Sequence, residues 1–184
     1  MTWPDPVLRQ FQSVPPTPAE NDFHGSYNKL LYCLFPFDSP YTVVPQYLKP
    51  GSRDSSGWIM TFEIVFDNRP VFILELKNPE ALKFVSSRGE ADDQIRRRIS
   101  DLRPYCPIST LHAVSAIGTR LCFYQLDTAD EEAEIKPLAI PRHPTRVNDT
   151  APEKRWNCDV LDAEGEKRFR SIVEEIKEEC AKLL

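Results

Sequence analysis

The apolar run that ends in ELK constrains the fold of this chain more than any other segment. It reads RPVFILELKNP, and its four consecutive apolar residues precede Glu75, Leu76 and Lys77. Such a run predicts a β-strand buried on both faces, and therefore an inner strand of a sheet that is covered on both sides. Side chains alternate along a strand, so Glu75 and Lys77 point to the same face. A carboxylate and an amine thus leave an apolar strand together, just before Pro79 interrupts it.

The segments beside this strand predict two hairpins. WIMTFEIVF precedes the run and is joined to it by Asp67, Asn68 and Arg69, which is a turn signal. STLHAVSAI and RLCFYQLD form the second pair of strands, separated by Gly118 and Thr119. YTVVPQYL and EIKPLAI are further short β-rich segments.

Helical periodicity completes the expected architecture. Apolar spacing predicts helices over 21–35, 87–102 and the C-terminal segment. Helix, strand, hairpin, helix, hairpin and helix in that order predict an α+β (α/β) fold with a mixed β-sheet flanked by helices. Residues 21–184 are expected to form a single domain. Residues 1–20 hold five prolines and no periodicity, which predicts an extended Pro-rich arm.

Composition narrows the classes of protein to consider. The five cysteines are scattered without a CxxC pair, so neither a zinc site nor a disulfide framework is predicted. The three histidines lie far apart, and His112 is expected to be a strand residue with a hydrogen-bond partner. No stretch approaches the roughly 18 apolar residues of a membrane span, and the first residues lack the apolar core of a signal peptide. We therefore expect a cytoplasmic or nuclear protein with no membrane partner.

The charge distribution is uneven. A net charge of −5 argues against simple electrostatic adhesion to nucleic acid. Positive charge is nevertheless concentrated in QIRRRISDLR, which contains Arg96, Arg97 and Arg98. A solvated helix face is the commoner explanation of such a run, and a phosphate-binding patch is the alternative.

The register of the first hairpin decides what Glu75 faces. A three-residue loop places Glu63 opposite Glu75, whereas a two-residue loop turns Glu63 to the other face. In the first register two carboxylates and Lys77 share one face, and the carboxylates repel unless a cation or a shared proton neutralises them. Mg²⁺ binds carboxylate oxygens and water, and a neighbouring lysine can orient the attacking water and stabilise charge on a phosphate. The alternative is a surface ion pair, which contributes less than about 1 kcal/mol.

PVFILELK, its hairpin partner and the following ADDQIRRR together resemble the PD-(D/E)xK nuclease superfamily. More narrowly, the chain is similar to nuclease-like proteins abundant in mushroom-forming fungi. The resemblance runs from about Asn21 to the C-terminal helix and includes YNKLLYCLFP, VVPQY, STLHAVSAIGTRLCFY and IPRHPTRVND. It implies a restriction endonuclease-like fold and an intracellular hydrolase, a nuclease that needs magnesium (or Mn²⁺) to cleave phosphodiester bonds. Nucleic acid, DNA or RNA, is then the expected partner, and many nucleases of this fold act as homodimers.

The resemblance also implies roles for individual residues. Glu75 would be the metal-binding acid and Lys77 the catalytic lysine. Gln94 would be the polar residue that such nucleases often place on the helix after this strand. Arg96, Arg97 and Arg98 would meet the phosphates of the bound nucleic acid.

One departure from the family pattern concerns the second metal-binding acid. The superfamily carries an aspartate near the start of the preceding strand, where this chain has Gly57. Asp54 in the loop and Glu63 within the strand are the two alternatives. Asp22, at the first helix, is a further acid for which an N-terminal capping role is the simpler explanation.

Three hypotheses follow from these observations. The intact ELK favours a metal-dependent nuclease. The missing strand acid and the acidic composition favour a catalytically degenerate nuclease-fold module that binds nucleic acid or a protein partner. An unrelated α+β domain with a surface ion pair is the third, and the ordered set of motifs argues against it. Convergence of Glu63, Glu75 and Lys77 in an open polar cleft would favour the enzyme.

Overall fold

The computed structural model describes residues 3–48 and 59–184. Within these ranges the α-helices are α1 (Asp5–Gln12), α2 (His24–Leu34), α3 (Val85–Leu102) and α4 (Ala163–Ala181). The β-strands are β1 (Tyr41–Leu48), β2 (Ile59–Phe66), β3 (Arg69–Lys77), β4 (Thr110–Ile117), β5 (Arg120–Asp127) and β6 (Cys158–Asp159). None of the helices in these ranges is long and apolar enough to cross a bilayer.

The strands form one sheet in which spatial order follows chain order, from β1 to β6. All neighbours are antiparallel except β3 and β4, which run parallel. A parallel pair needs a crossover connection, and α3 supplies it. The predicted α+β fold with a mixed sheet flanked by helices is therefore confirmed.

Helices cover both faces of this sheet. Buried side chains of α1, α2 and α4 pack with Phe72 and Leu74 on one face. On the other face, Ile95 and Ile99 of α3 pack with Ile73. The side chains of β3 from position 70 to position 76 are all buried, so the apolar run is an inner strand, as its sequence predicts.

The N-terminal residues were predicted to be extended, and this prediction was wrong for their first half. Asp5–Gln12 is a helix, and Trp3, Val7 and Phe11 are buried against the domain. The indole Nε1 of Trp3 donates to the carbonyl of Val160 at 2.6 Å. The prolines near the start of this segment are typical of extended structure, but proline is also favoured in the first turn of a helix. The i, i+4 pair Val7 and Phe11 was the helical signal.

The first hairpin closes with a two-residue turn, yet it leaves Glu63 and Glu75 on the same face. Asp67 and Asn68 have φ of 49° and 58°, as a type I′ turn requires. The register then shifts by one residue between Ile64 and Val65. Because of this β-bulge Glu63 pairs with Ile73 and Thr61 with Glu75, so the expectation that a two-residue loop turns Glu63 away was wrong.

The bulge has a local cause in the sequence. Val65 pairs with Pro70 and Ile64 with Phe72, so Val71 is the extra residue of β3. Proline has no backbone N–H to give to the ladder, and a bulge is where a sheet accommodates it.

The long connection between β5 and β6 is held against α3 rather than forming a full strand. EIKPLAI, expected as a strand, contributes a single bridge in which Lys136 and Gln125 exchange two backbone hydrogen bonds of 2.9 Å. The buried carboxylate of Asp92 accepts from Arg155 at 2.7 Å and from the hydroxyl of Tyr124 at 2.8 Å. Asp92 of the ADDQIRRR segment thus has a structural role.

Candidate active site

Glu75 and Lys77 lie at the end of β3, on the face covered by α3. Lys77 Nζ is 3.6 Å from Glu75 Oε1, and the side chains of Lys77 and Glu75 are 14% and 3% exposed. Gly118 N donates to the Lys77 carbonyl at 3.1 Å and fixes the strand end beside the β4–β5 turn. A buried pair of this kind fits neither the solvated surface ion pair of the third hypothesis nor the open polar cleft that was expected to favour an enzyme.

The protonation of Glu75 is poised near neutrality. Burial raises the pKa of Glu75 from 4.5 to about 7, because the interior disfavours the charged carboxylate. Lys77 acts in the opposite direction, the Glu20 carboxylate raises this pKa further, and Arg98 lowers it. A carboxyl group with a pKa near 7 gains or loses its proton on a small change of pH around neutrality.

Glu20 is a site residue that the sequence analysis missed. It begins a short 3₁₀ turn, Glu20–Phe23, that lies against β3. Burial raises the pKa of Glu20, while Lys77 and a hydrogen bond from the Met60 backbone lower it. The available signal was an acidic residue just before the first long helix. Asp22, for which the sequence favours a capping role, accepts from Ala19 N at its Oδ2 over 2.8 Å and stabilises the start of the turn.

Glu63 faces the same side of the sheet but is already paired. Its side chain is 7% exposed, and its Oε1 is contacted directly by the Arg98 guanidinium. The same Nη2 of Arg98 donates to Gln46 Oε1 at 3.0 Å. Glu63 can therefore serve a metal ion only if it leaves Arg98.

Two hydroxyl groups flank Glu75 within the sheet. Thr61 on β2 pairs with Glu75 on one side, and Ser115 on β4 pairs with it on the other. Both side chains are fully buried. Thr61 Oγ1 and Ser115 Oγ have no hydrogen-bond partner among the described residues, and Glu75 Oε1 has the 3.6 Å contact with Lys77 Nζ. Buried polar atoms are normally satisfied, so the two hydroxyl oxygens are uncommitted hydrogen-bonding groups beside Glu75.

Gln94 contributes another oxygen from α3. Its Nε2 donates to Glu90 Oε1 at 3.0 Å. Its Oε1 is buried and has no hydrogen-bond partner in the described part of the chain. Gln94 lies one turn before Arg98 on the helix that covers this face, which leaves an uncommitted acceptor there.

The three consecutive arginines do not form one patch. Arg96 Nε donates to Asp92 Oδ2 at 2.8 Å, and its Nη1 donates to the Ile135 carbonyl at 3.2 Å. Arg98 points to Glu63. Of the three, Arg97 alone is exposed. Successive helix residues are rotated by about 100°, so three in a row face different directions.

The remaining predicted site positions, Asp54 and Gly57, lie outside the described residues. Within residues 3–48 and 59–184, no three His, Cys, Asp or Glu side chains are grouped in a way that suits a metal ion. The described part of the site therefore consists of Glu75 with Lys77 and Glu20, and of Glu63 with Arg98.

Comparisons of this chain with protein-family models, with curated proteins and with solved structures find no match. The site is therefore interpreted from its own geometry.

Proposed function

We propose that this protein is a divalent-metal-dependent nuclease of the PD-(D/E)xK type, which hydrolyses phosphodiester bonds in DNA or RNA on a restriction-endonuclease-like core. One observation carries the proposal. The buried Glu75 and Lys77 pair ends the inner strand, and orphaned oxygens of Thr61 and Ser115 lie on both sides of it. Buried carboxylates and hydroxyls without partners suit a hard cation and its water molecules.

Glu75 and Glu20 are the residues that would hold Mg²⁺ or Mn²⁺. Mg²⁺ typically binds proteins through one or two carboxylates and keeps several water molecules, so two acids suffice. When bound, such an ion would neutralise the two carboxylates and polarise the phosphodiester. Burial is the main cause of the raised pKa of Glu75, and the nearby Glu20 carboxylate raises it further, which fits this role.

Lys77 would act on the phosphate and on the attacking water. Its ammonium is held by Glu75 within a nearly buried position, so it needs little reorganisation as negative charge develops. The amide oxygen of Gln94 would accept a hydrogen bond from a water molecule at the site. Arg97, exposed on the same helix, would contact the backbone of the nucleic acid.

The test is cleavage of plasmid, single-stranded DNA and RNA by wild type, Glu75→Gln and Lys77→Met with Mg²⁺, Mn²⁺ or EDTA. We expect metal-dependent cleavage in the wild type and a loss of at least about 100-fold in both variants. Glu80→Gln is the matched control, because Glu80 is exposed and pairs with Lys83 at 2.8 Å. Cleavage that survives Glu75→Gln or EDTA would contradict the proposal.

A second function is favoured by the Glu63 and Arg98 contact. Arg98 is paired with Glu63, which is one of the two acids considered as the second metal ligand of a nuclease. In that case the fold would be a degenerate module that binds nucleic acid or a protein partner without cleaving it. Fluorescence anisotropy with labelled DNA and RNA separates the two functions. Binding that is independent of metal, with no cleavage by the wild type, would support the module.

A further inference from the structure

A cavity lies at the outer edge of β5, away from Glu75. Its volume is about 470 Å³, within the range of about 300 to 1,000 Å³ typical of small-molecule sites. Side chains of β4, β5, the β5–β6 connection and α4 line it. The lining residues that matter here are His112, Phe123, Lys136, Lys154, Asn157 and Arg168.

The cavity opens at a gap in the sheet edge. β6 pairs with β5 at Arg120 and Leu121, and Lys136 bridges to Gln125. Between these contacts no described residue pairs with the outer edge of β5. Because ladder hydrogen bonds alternate from side to side, the N–H and C=O of Phe123 point outward like those of Gln125. The backbone thus adds a donor and an acceptor to the cavity.

The side chains around this gap are mainly cationic. Lys136, Lys154 and Arg168 make no ion pair with an acidic side chain among the described residues, and Arg168 Nη1 donates to Cys158 Sγ at 3.7 Å. The guanidinium of Arg168 lies over the Phe123 ring, with Cζ 4.3 Å from the ring centroid. Glu175 is the one acidic residue in the lining. Uncompensated cations that share a concave surface attract anions.

The fourth cationic residue of the lining has a different role. Arg155 donates to Asp92 at 2.7 Å and to the Leu138 carbonyl at 2.6 Å. It is therefore committed to the structure of the connection, and Lys136, Lys154 and Arg168 remain available to a ligand.

His112 provides an independent indication of a ligand. Its side chain is 3% exposed, and Nε2 is 3.1 Å from Glu175 Oε1. Glu175 is therefore the partner of this strand residue at Nε2, whereas Nδ1 has no hydrogen-bond partner in the described ranges. A buried ring nitrogen without a partner is unfavourable unless water or a bound molecule satisfies it. Asn157 and Ser171 add further polar groups to the same lining.

We propose that this cavity binds an organic phosphate, a small molecule that carries a phosphate group on an apolar or aromatic body. Lys136, Lys154 and Arg168 bind the phosphate, and the body packs against Pro137 and Ile172 of the lining. Arginine and lysine are the side chains that bind phosphate oxygens most strongly.

This site is separate from the proposed nuclease centre. Glu75 on β3 pairs with Ser115 on β4, which in turn pairs with Cys122 on β5 at the cavity wall. Two strand spacings separate Glu75 from Cys122, roughly 10 Å. The proposal therefore does not depend on nuclease activity.

The test is calorimetric titration of the full chain with adenosine 5′-monophosphate, inorganic phosphate and adenosine. Two-dimensional NMR of the histidine rings is recorded alongside. We expect the monophosphate to bind one-to-one, more tightly than inorganic phosphate, and adenosine not to bind. The ring signals of His112 should shift, whereas those of His143, which lies outside the cavity, should not.

Three exposed α4 variants identify the site. Arg168→Gln should weaken monophosphate binding about tenfold or more, since it removes a charge-assisted contact to phosphate. Glu175→Gln should strengthen it, because a carboxylate leaves the lining. Lys167→Gln removes the same charge from a neighbouring residue that does not line the cavity, and should leave affinity unchanged.

Several results would overturn the proposal. One is the absence of monophosphate binding, and another is binding that does not shift the His112 signals. Equal weakening by Arg168→Gln and Lys167→Gln would mean general electrostatic attraction. Equal affinity for inorganic phosphate and the monophosphate would rule out a site for an organic phosphate.

Discussion

Lys77 Nζ lies 3.6 Å from Glu75 Oε1, and the Glu75 side chain is 3% exposed. The pKa of Glu75 is nevertheless raised to about 7, so its burial outweighs the attraction of the neighbouring ammonium. A carboxyl group that is partly protonated at neutral pH beside a lysine is unfavourable in the protein alone. A divalent cation, if one binds as proposed, would have to displace this proton, so its binding should strengthen as pH rises through about 7.

The first prediction concerns stability against pH. Glu75 has a folded pKa of about 7 and an unfolded value near 4.5. The native state therefore holds a proton that the unfolded state loses, and stability falls as pH rises from about 4.5 to 7. The difference is ~3 kcal/mol in the free energy of unfolding, fully expressed above pH 7.

Urea unfolding of wild type and Glu75→Gln at pH 5 and pH 8 measures this effect. Glutamine has no charge to bury, so the variant should lose the Glu75 share of the pH dependence. Glu80→Gln, whose carboxylate is exposed, should keep the wild-type slope. Identical pH slopes for wild type and Glu75→Gln would refute the raised pKa.

The second prediction links Glu20 to Glu75 across the site. The Glu20 carboxylate raises the pKa of Glu75, so Glu20→Gln should lower it. Carboxyl ¹³C NMR of glutamate-labelled protein follows the titration of Glu75 directly. Asp22→Asn serves as the control for the turn itself, since Asp22 stabilises its start through Ala19. If the Glu75 titration is unchanged in Glu20→Gln, the two carboxylates do not interact.

The third prediction concerns the pair Glu63 and Arg98. Arg98→Met leaves the nearly buried Glu63 carboxylate without its partner, which should lower the free energy of unfolding by about 3 kcal/mol. Adding Glu63→Gln to this variant removes the stranded charge and should recover part of the loss. Urea unfolding of the two single variants and the double variant gives the coupling. Strictly additive effects would show that the contact does not couple the two residues.

The fourth prediction tests the N-terminal helix. Phe11 is buried and packs edge-on against Tyr27, with ring centroids 5.3 Å apart. Phe11→Ala should therefore lower the free energy of unfolding by about 3–5 kcal/mol. Gln12→Ala is the matched control, because the adjacent residue is exposed. Equal free energies of unfolding for the two variants would contradict the packed helix and support the extended arm expected for residues 1–20.

The sequence predicts the parts of the fold that depend on local pattern. The apolar run of β3 and the stripe of Ala91, Ile95 and Ile99 on α3 lie where their periodicity places them. Helix α1 was missed because its prolines outweighed a short apolar pattern. The bulge at Val71 was missed because it depends on how Pro70 pairs with a neighbouring strand.

The candidate site was predictable only where it lies on one strand. Glu75 and Lys77 share a strand, so alternation brings them together. Glu20 reaches the same place through tertiary packing, which no local pattern encodes. The arginine run shows the same limit. Arg96 pairs with Asp92 one helical turn earlier, but its contact with the Ile135 carbonyl and the contact of Arg98 with Glu63 join residues distant in the sequence.

The central claim is that the Glu75 site holds a divalent cation for phosphodiester hydrolysis. The most direct measurement is Mn²⁺ binding at pH 7.5, detected by electron paramagnetic resonance, in wild type, Glu75→Gln and Glu80→Gln. Wild type and Glu80→Gln should each bind an ion that Glu75→Gln does not. Equal binding by wild type and Glu75→Gln, or no binding by the wild type, would contradict the claim.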